Sequence, residues 1–113
     1  MASNGVDLSQ KRCVACEGDA KPLTEMEATA MLGHIAGWSL SSDTKKISKQ
    51  FKFDNYVKGM EFANQITPIA ESEGHHPDLS IGWGRVVVEL TTHAIKGLSE
   101  NDFILAAKID KIA

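Results

Sequence analysis

Residues 79–93, with the sequence LSIGWGRVVVELTTH, contain the pattern that decides the fold of this chain. Apolar side chains alternate with small ones over 79–83, which is typical of a β-strand with one covered face. Gly84 then permits a tight turn, and a second alternating strand is predicted over 85–93. The larger side chains of that strand share one face: Val86, Val88 and Leu90. The stretch therefore predicts an antiparallel hairpin.

The segment before this hairpin has the period of a helix. Over residues 55–73 the apolar and small side chains form one stripe: Gly59, Phe62, Ala63, Ile66, Ile69 and Ala70. Pro68 lies inside the pattern and removes one backbone donor, so we expect a bend in this helix.

A helix and a second hairpin are predicted nearer the amino terminus. Thr24 followed by Glu27 has the spacing of a capping box, which predicts a helix over 24–34. The segments 38–40 and 47–53 alternate apolar and polar side chains, and the polar residues between them favour a turn.

A last helix is predicted after Ser99, which is a capping residue with Asp102 three positions later. Its apolar side chains form a stripe with an additional flank: Phe103, Leu105, Ala106, Ala107, Ile109 and Ile112. This face is wider than a small sheet needs to cover it, so we interpret part of it as a subunit interface.

The predicted order of elements is α-β-β-α-β-β-α, with each strand pair linked tightly enough to be antiparallel. The simplest arrangement is an α+β fold, in which a four-stranded antiparallel sheet has three helices packed on one face. Residues 1–22 are polar and without pattern, so we predict a flexible leader there and one folded domain over 23–113.

Composition narrows the function classes. The chain has 113 residues and a net charge of -3, and its lysines and arginines form no large cluster. Proteins that bind nucleic acid through phosphates usually carry a basic face, so we predict no direct nucleic-acid partner. No apolar run reaches the roughly 18 residues of a membrane span, and the amino end lacks the apolar stretch of a secretory signal. We therefore predict no membrane contact and a cytoplasmic location.

Both cysteines, Cys13 and Cys16, lie in the segment CVAC. Such a pair supplies half of a tetrahedral zinc site or a redox dithiol. A second cysteine pair is missing from the sequence, and no predicted strand precedes the motif, so we favour two thiols in the leader without such a role. A zinc site completed by distant histidines is the alternative.

Three of the four histidines are predicted to meet at one end of the sheet. His75 and His76 occupy the segment GHHPD before the hairpin, and His93 lies at the end of its second strand. Glu71 and Asp102 can reach the same rim. Because an ordinary histidine titrates near about 6.5, such a cluster suits proton transfer at neutral pH.

Other interpretations of the same residues stay open. The paired histidines can occupy a solvated turn, Glu71 can be a solvated helix residue, and Asp102 can serve only as a helix cap. Three histidines and a carboxylate can also hold zinc or iron. Adjacent residues point in different directions, however, so His75 and His76 are poorly placed to bind one ion, and we predict no metal.

Four motifs together resemble those of the pterin-4a-carbinolamine dehydratase family, also known as the dimerisation cofactor of a homeodomain transcription factor. The motifs are E-x-x-x-H-H-P-D over 71–78, T-T-H over 91–93, G-L-S-E-x-D over 97–102 and the pair Gly37–Trp38. The resemblance implies the same α+β fold and a homodimer or homotetramer. It implies dehydration of 4a-hydroxytetrahydrobiopterin to quinonoid dihydropterin, in the recycling of tetrahydrobiopterin for aromatic amino acid hydroxylases. It also implies that no metal or organic cofactor takes part.

The resemblance also assigns roles to individual residues. It implies that His75 and His93 are acid/base catalysts, and that His76 binds substrate with a share in proton transfer. Five further residues are implied to bind substrate or support the site: Glu71, Pro77, Asp78, Asp102 and Trp38. A core role is the alternative for the tryptophan. The alternative for the whole chain is a protein-binding module, a transcription coactivator without catalysis, whose last helix docks a partner.

Overall fold

The computed structural model describes residues 7–14 and 20–113. The helices are α1 (Glu25–Leu32), α2 (Tyr56–Glu73) and α3 (Glu100–Ile112). The strands are β1 (Ser39–Leu40), β2 (Ile47–Lys52), β3 (Asp78–Gly82) and β4 (Arg85–Leu90). Two short 3-10 turns, Leu8–Gln10 and His93–Ile95, complete the described elements.

The four strands form one antiparallel sheet in the order β1-β2-β4-β3. In β4, Val86, Val88 and Leu90 are each fully buried, which confirms the face predicted from their alternation. Val86 lies between Phe51 of β2 and Ile81 of β3 in the register, so apolar side chains of three strands meet on one layer. The predicted α+β fold is confirmed.

The sequence patterns located most element boundaries to within a few residues. Thr24 and Glu27 form the predicted capping box, although α1 ends at Leu32 rather than at residue 34. In α2 the helix continues through Pro68 to Glu73. Proline at this exposed position does not end the helix, because neighbouring turns keep their hydrogen bonds and the buried stripe holds the helix on the sheet.

Two strand predictions were wrong at their ends. Trp83 was predicted in a strand, but Gly82 pairs directly with Arg85, so Trp83 lies in the two-residue turn and is 71% exposed. Gly84 has a φ of +73°, the left-handed conformation that such a turn requires. His93 was predicted to end a strand, but β4 ends at Leu90 and His93 begins a 3-10 turn.

Helix α3 is the centre of the core rather than an exposed face. Phe103, Leu105 and Ile109 are fully buried within one chain. The helix packs against α1, α2 and the Leu8–Gln10 turn, and Leu8 is only 3% exposed. The width that we interpreted as a subunit interface is thus covered within one chain, and the homodimer or homotetramer stays a prediction.

The described part of the predicted leader, residues 7–14, contacts the domain. The domain boundary at residue 22 stays a prediction, and Cys16 lies outside the described residues. Across the helices that the structure describes, none has the length and apolar character needed to span a membrane.

Candidate active site

Three histidines surround one cavity of about 490 Å³ at the end of the sheet where β4 finishes. The cavity is lined by residues from four parts of the chain: Cys13, Val14, Glu73, Gly74, His75, His76, Thr91, Thr92, His93, Ala94 and Asn101. A cavity of this size is in the usual range for a small-molecule site, which is about 300–1,000 Å³. The predicted meeting of His75, His76 and His93 is therefore found in the structure.

The end of α2 delivers the first two histidines. Gly74 has a φ of +64°, and this left-handed residue stops the helix and redirects the chain. The backbone N–H of His75 then donates to the carbonyl of Ala70 at 3.2 Å, which closes the helix end. Helix geometry thus fixes where His75 begins, and β3 starts three residues later at Asp78.

The third histidine is held by the connection after β4. Thr92 forms an isolated bridge with Gly97, in which the N–H of Thr92 donates to the Gly97 carbonyl at 2.9 Å. Lys96 adopts a left-handed conformation with a φ of 58°, so the loop folds back tightly. His93 lies inside this closed loop, which places it on the cavity wall opposite the end of α2.

His75 is bound by a buried carboxylate. Its Nε2 lies 2.6 Å from Oδ1 of Asp102, whose side chain is fully buried, while the His75 side chain is 12% exposed. The other oxygen, Oδ2, accepts from the Thr92 hydroxyl at 2.7 Å and from the Ser99 backbone N–H at 3.0 Å. An ionised carboxylate accepts only, so it selects the tautomer with the proton on Nε2 and leaves Nδ1 for other contacts.

Asp102 therefore has both of the roles that the sequence allowed. It completes the capping box of α3 with Ser99, and it also orients His75 from beneath the cavity. Asp102 does not line the cavity itself. It acts on the site through the imidazole.

His76 has a different environment. Its Nε2 lies 2.6 Å from Oε2 of Glu71, but both side chains are mostly exposed, at 59% and 71%. His76 also borders a smaller cavity of about 160 Å³ that includes Glu71 and Pro77. The two adjacent histidines thus have separate carboxylate partners, one buried and one on the surface.

His93 is exposed, and within residues 7–14 and 20–113 its side chain has no hydrogen-bond or ion-pair partner. Both ring nitrogens are therefore available to a molecule in the cavity. A free histidine opposite an oriented one is an arrangement that can supply an acid and a base to the same substrate.

Two predicted site residues lie elsewhere. Trp38 is 7% exposed and packs edge-on against Phe51, while its indole N–H donates to Oδ2 of Asp110 at 3.0 Å. Lys49 binds the other oxygen of Asp110 at 2.9 Å. Asp78 is exposed at the start of β3 and is not among the residues that line the histidine cavity.

Cys13 was predicted to be a thiol in a flexible leader, but the structure places it on the cavity wall. Burial, together with the negative charge of Glu73, raises the pKa of its thiol to about 12. The backbone N–H of Cys13 donates to Oε1 of Glu73 at 2.7 Å, and this bond holds the pKa of that carboxyl below its usual value. Among the described residues, no group of three or more potential ligands is arranged to hold a metal ion.

The sequence gave little indication of the other lining residues. Thr91 and Thr92 precede His93 in a motif, but only the histidine carried a chemical signal. Asn101 lies inside a helix cap, where a polar residue is ordinary. Glu73 lacks a motif of its own, and its partner Cys13 is 60 residues away.

Comparison with known proteins places this arrangement in context. The family model described as pterin 4 alpha carbinolamine dehydratase matches residues 21–112. A Methylococcus capsulatus relative named for the same dehydratase is 45% identical over 106 residues, which are 94% of this chain and 93% of the relative.

Two further similarities come from a plant and from a solved structure. The mitochondrial pterin-4-alpha-carbinolamine dehydratase 2 of Arabidopsis thaliana is 48% identical over 110 residues, covering 94% of this chain and 59% of that longer protein. The crystal structure of a Brucella melitensis protein, described as a transcriptional coactivator/pterin dehydratase, is similar with a TM-score of 0.77 and 33% identity. That alignment covers 82% of this chain and 99% of the other.

Proposed function

The chain belongs to the pterin 4 alpha carbinolamine dehydratase family, and from this premise we propose that it dehydrates 4a-hydroxytetrahydropterin to quinonoid dihydropterin and water. The observation that carries the proposal is the cavity of about 490 Å³, which brings together His75, His76 and His93. The reaction serves to return the tetrahydrobiopterin used by aromatic amino acid hydroxylases to a form that can be reduced again.

The chemistry requires one acid and one base on the same substrate. The hydroxyl at C4a leaves as water after it gains a proton, the lone pair of N5 forms the new double bond, and the N5 proton passes to a base. Each such proton transfer contributes about 10²–10⁴-fold to the rate. Histidines suit both steps because protonated and neutral forms coexist near neutral pH.

The geometry supports different roles for the three histidines. His75 is oriented by a buried carboxylate and His93 is unbound within the described residues, so we assign the acid and the base to these two. His76, held by the exposed Glu71, binds substrate at the cavity mouth. No step in this scheme needs a metal or organic cofactor.

The protein-binding alternative relied on an unoccupied face of the last helix. Within one chain, α3 is covered by α1, α2 and the Leu8–Gln10 turn, so that face does not support the alternative. The dehydratase proposal instead uses residues that line an open cavity.

The proposal is tested by measuring dehydration of 4a-hydroxytetrahydropterin with purified wild-type protein, His93→Ala and His34→Ala. We expect the wild type to accelerate the reaction and His93→Ala to lose about 10²–10⁴-fold in kcat. His34 is exposed and lies outside the histidine cavity, so His34→Ala is the matched control and should retain full activity. A wild-type protein without acceleration, or a fully active His93→Ala variant, would contradict the proposal.

A further inference from the structure

The described part of the amino-terminal segment, residues 7–14, follows the surface of α3. Leu8 is buried, with 3% of its surface exposed. The Nζ of Lys108 on α3 donates to the carbonyl of Ser9 at 2.8 Å. These contacts attach the segment to the helix that also carries Asp102.

The end of this segment is bound by one side chain of α3. Asn101, which is 5% exposed, accepts from the Val14 N–H at 3.0 Å through Oδ1 and donates to the Val14 carbonyl at 2.5 Å through Nδ2. The thiol of Cys13 donates to the backbone carbonyl of Asn101 at 3.6 Å. With the bond from the Cys13 N–H to Glu73, four hydrogen bonds fix residues 13 and 14.

Cys13 and Val14 line the same cavity as the three histidines. We propose that these two residues form a wall of the pterin site that sets substrate affinity, and that Asn101 is the positioning residue that holds this wall in place. The inference rests on the proposed dehydratase function and adds a specificity role to a segment that the histidine motifs do not include.

The chemistry of the wall suits binding rather than proton transfer. Val14 offers only an apolar side chain, and the Cys13 thiol stays protonated at neutral pH because its pKa is raised to about 12. A flat pterin ring gains binding free energy from contact along its faces and from the exclusion of water there. An interaction that is equal in the bound substrate and in the transition state changes KM and leaves kcat unchanged.

The test compares Asn101→Asp with wild-type protein in the dehydration assay. The substitution keeps the size and the Oδ1 acceptor, but it replaces the donor with an oxygen that faces the Val14 carbonyl. We expect KM to rise about tenfold with kcat unchanged, because the lost contact is comparable to part of one apolar side chain. Asn64→Asp on α2 is the matched control, since Asn64 is exposed and outside the cavity.

A second variant avoids any effect on folding. Val14 is 70% exposed, so Val14→Gly leaves the core intact and removes only the side chain at the cavity. We expect KM to rise several-fold, in the same direction as in Asn101→Asp.

The outcomes separate this inference from the proposed function. An active wild-type protein with unchanged KM in both variants would overturn the inference alone. A fall in kcat at constant KM would also overturn it, because that result assigns the wall to the chemical step. A wild-type protein that neither turns over the substrate nor binds it would overturn the proposed function and the inference with it.

Discussion

Asp102 joins the start of α3 to the imidazole of His75 through its two oxygens. Oδ1 lies 2.6 Å from Nε2 of His75, and Oδ2 accepts from the Ser99 N–H and the Thr92 hydroxyl. The helix cap and the orientation of a proposed catalytic residue therefore depend on one buried carboxylate. This link makes stability and activity separable by choosing which partner to remove.

We expect Asp102→Asn to reduce kcat about 100-fold, because the amide presents an N–H toward one of three donors and no longer selects one His75 tautomer. The free energy of unfolding should fall by about 1–3 kcal/mol, since a buried donor loses its acceptor. Steady-state kinetics and urea unfolding of the same preparation measure the two effects.

Ser99→Ala is the control for this substitution. It removes the hydroxyl that accepts from the Asn101 N–H, but it leaves the contact between His75 and Asp102. We expect a stability loss of about 1 kcal/mol with little change in kcat. A loss of kcat equal to that of Asp102→Asn would show that the helix cap, rather than the orientation of His75, limits activity.

The exposed pair of His76 and Glu71 should affect substrate binding more than the chemical step. We expect His76→Gln to raise KM several-fold and to lower kcat far less than His93→Ala does. Glu71→Gln should change the free energy of unfolding by about 0–1 kcal/mol, because exposed ion pairs contribute little. A kcat loss in His76→Gln as large as that in His93→Ala would instead assign proton transfer to His76.

Local periodicity accounts for what the sequence predicted well. The stripe over 55–73 and the alternation over 79–90 each report a single buried face, so α2, β3 and β4 could be located without tertiary information. The hairpin around Gly84 then placed His76 and His93 at one end of the sheet, which the cavity contains. Trp83 shows the limit, because alternation continued into a residue that the turn exposes.

The wall formed by Cys13 and Val14 could not be found by such patterns. Its bonds to Asn101 span 87 and 88 residues and use backbone groups, which leave no mark in the sequence. Similarly, the contact between His75 and Asp102 depends on how α3 packs beside the end of α2. Tertiary packing, rather than local propensity, decides both features.

Trp38 provides a test of a core role against a site role. Its indole N–H donates to Asp110, which also binds Lys49, and it does not line the histidine cavity. We expect Trp38→Phe to lower the free energy of unfolding by about 1–3 kcal/mol, through lost packing and an unpaired acceptor. The kcat and KM for the pterin should stay at wild-type values. A rise in KM without a stability change would place Trp38 in the substrate site.

The thiol of Cys13 reports whether the amino-terminal segment is docked in solution. In a Cys16→Ser background, where Cys13 is the single cysteine, alkylation by iodoacetamide at pH 7.5 should be about 10³-fold slower than for an ordinary thiol. The reason is that the pKa is raised from 9.0 to about 12, so the reactive thiolate is correspondingly rare.

Two comparisons make this measurement specific. Glu73→Gln removes a negative charge that raises the pKa of Cys13, so alkylation should become faster while burial still slows it below the rate of a free thiol. Unfolding in urea should restore the ordinary rate, because both burial and the Glu73 contact are then lost. If the native protein reacted as fast as the unfolded chain, residues 13 and 14 would not be held on the cavity wall, and the bonds to Asn101 would not persist in solution.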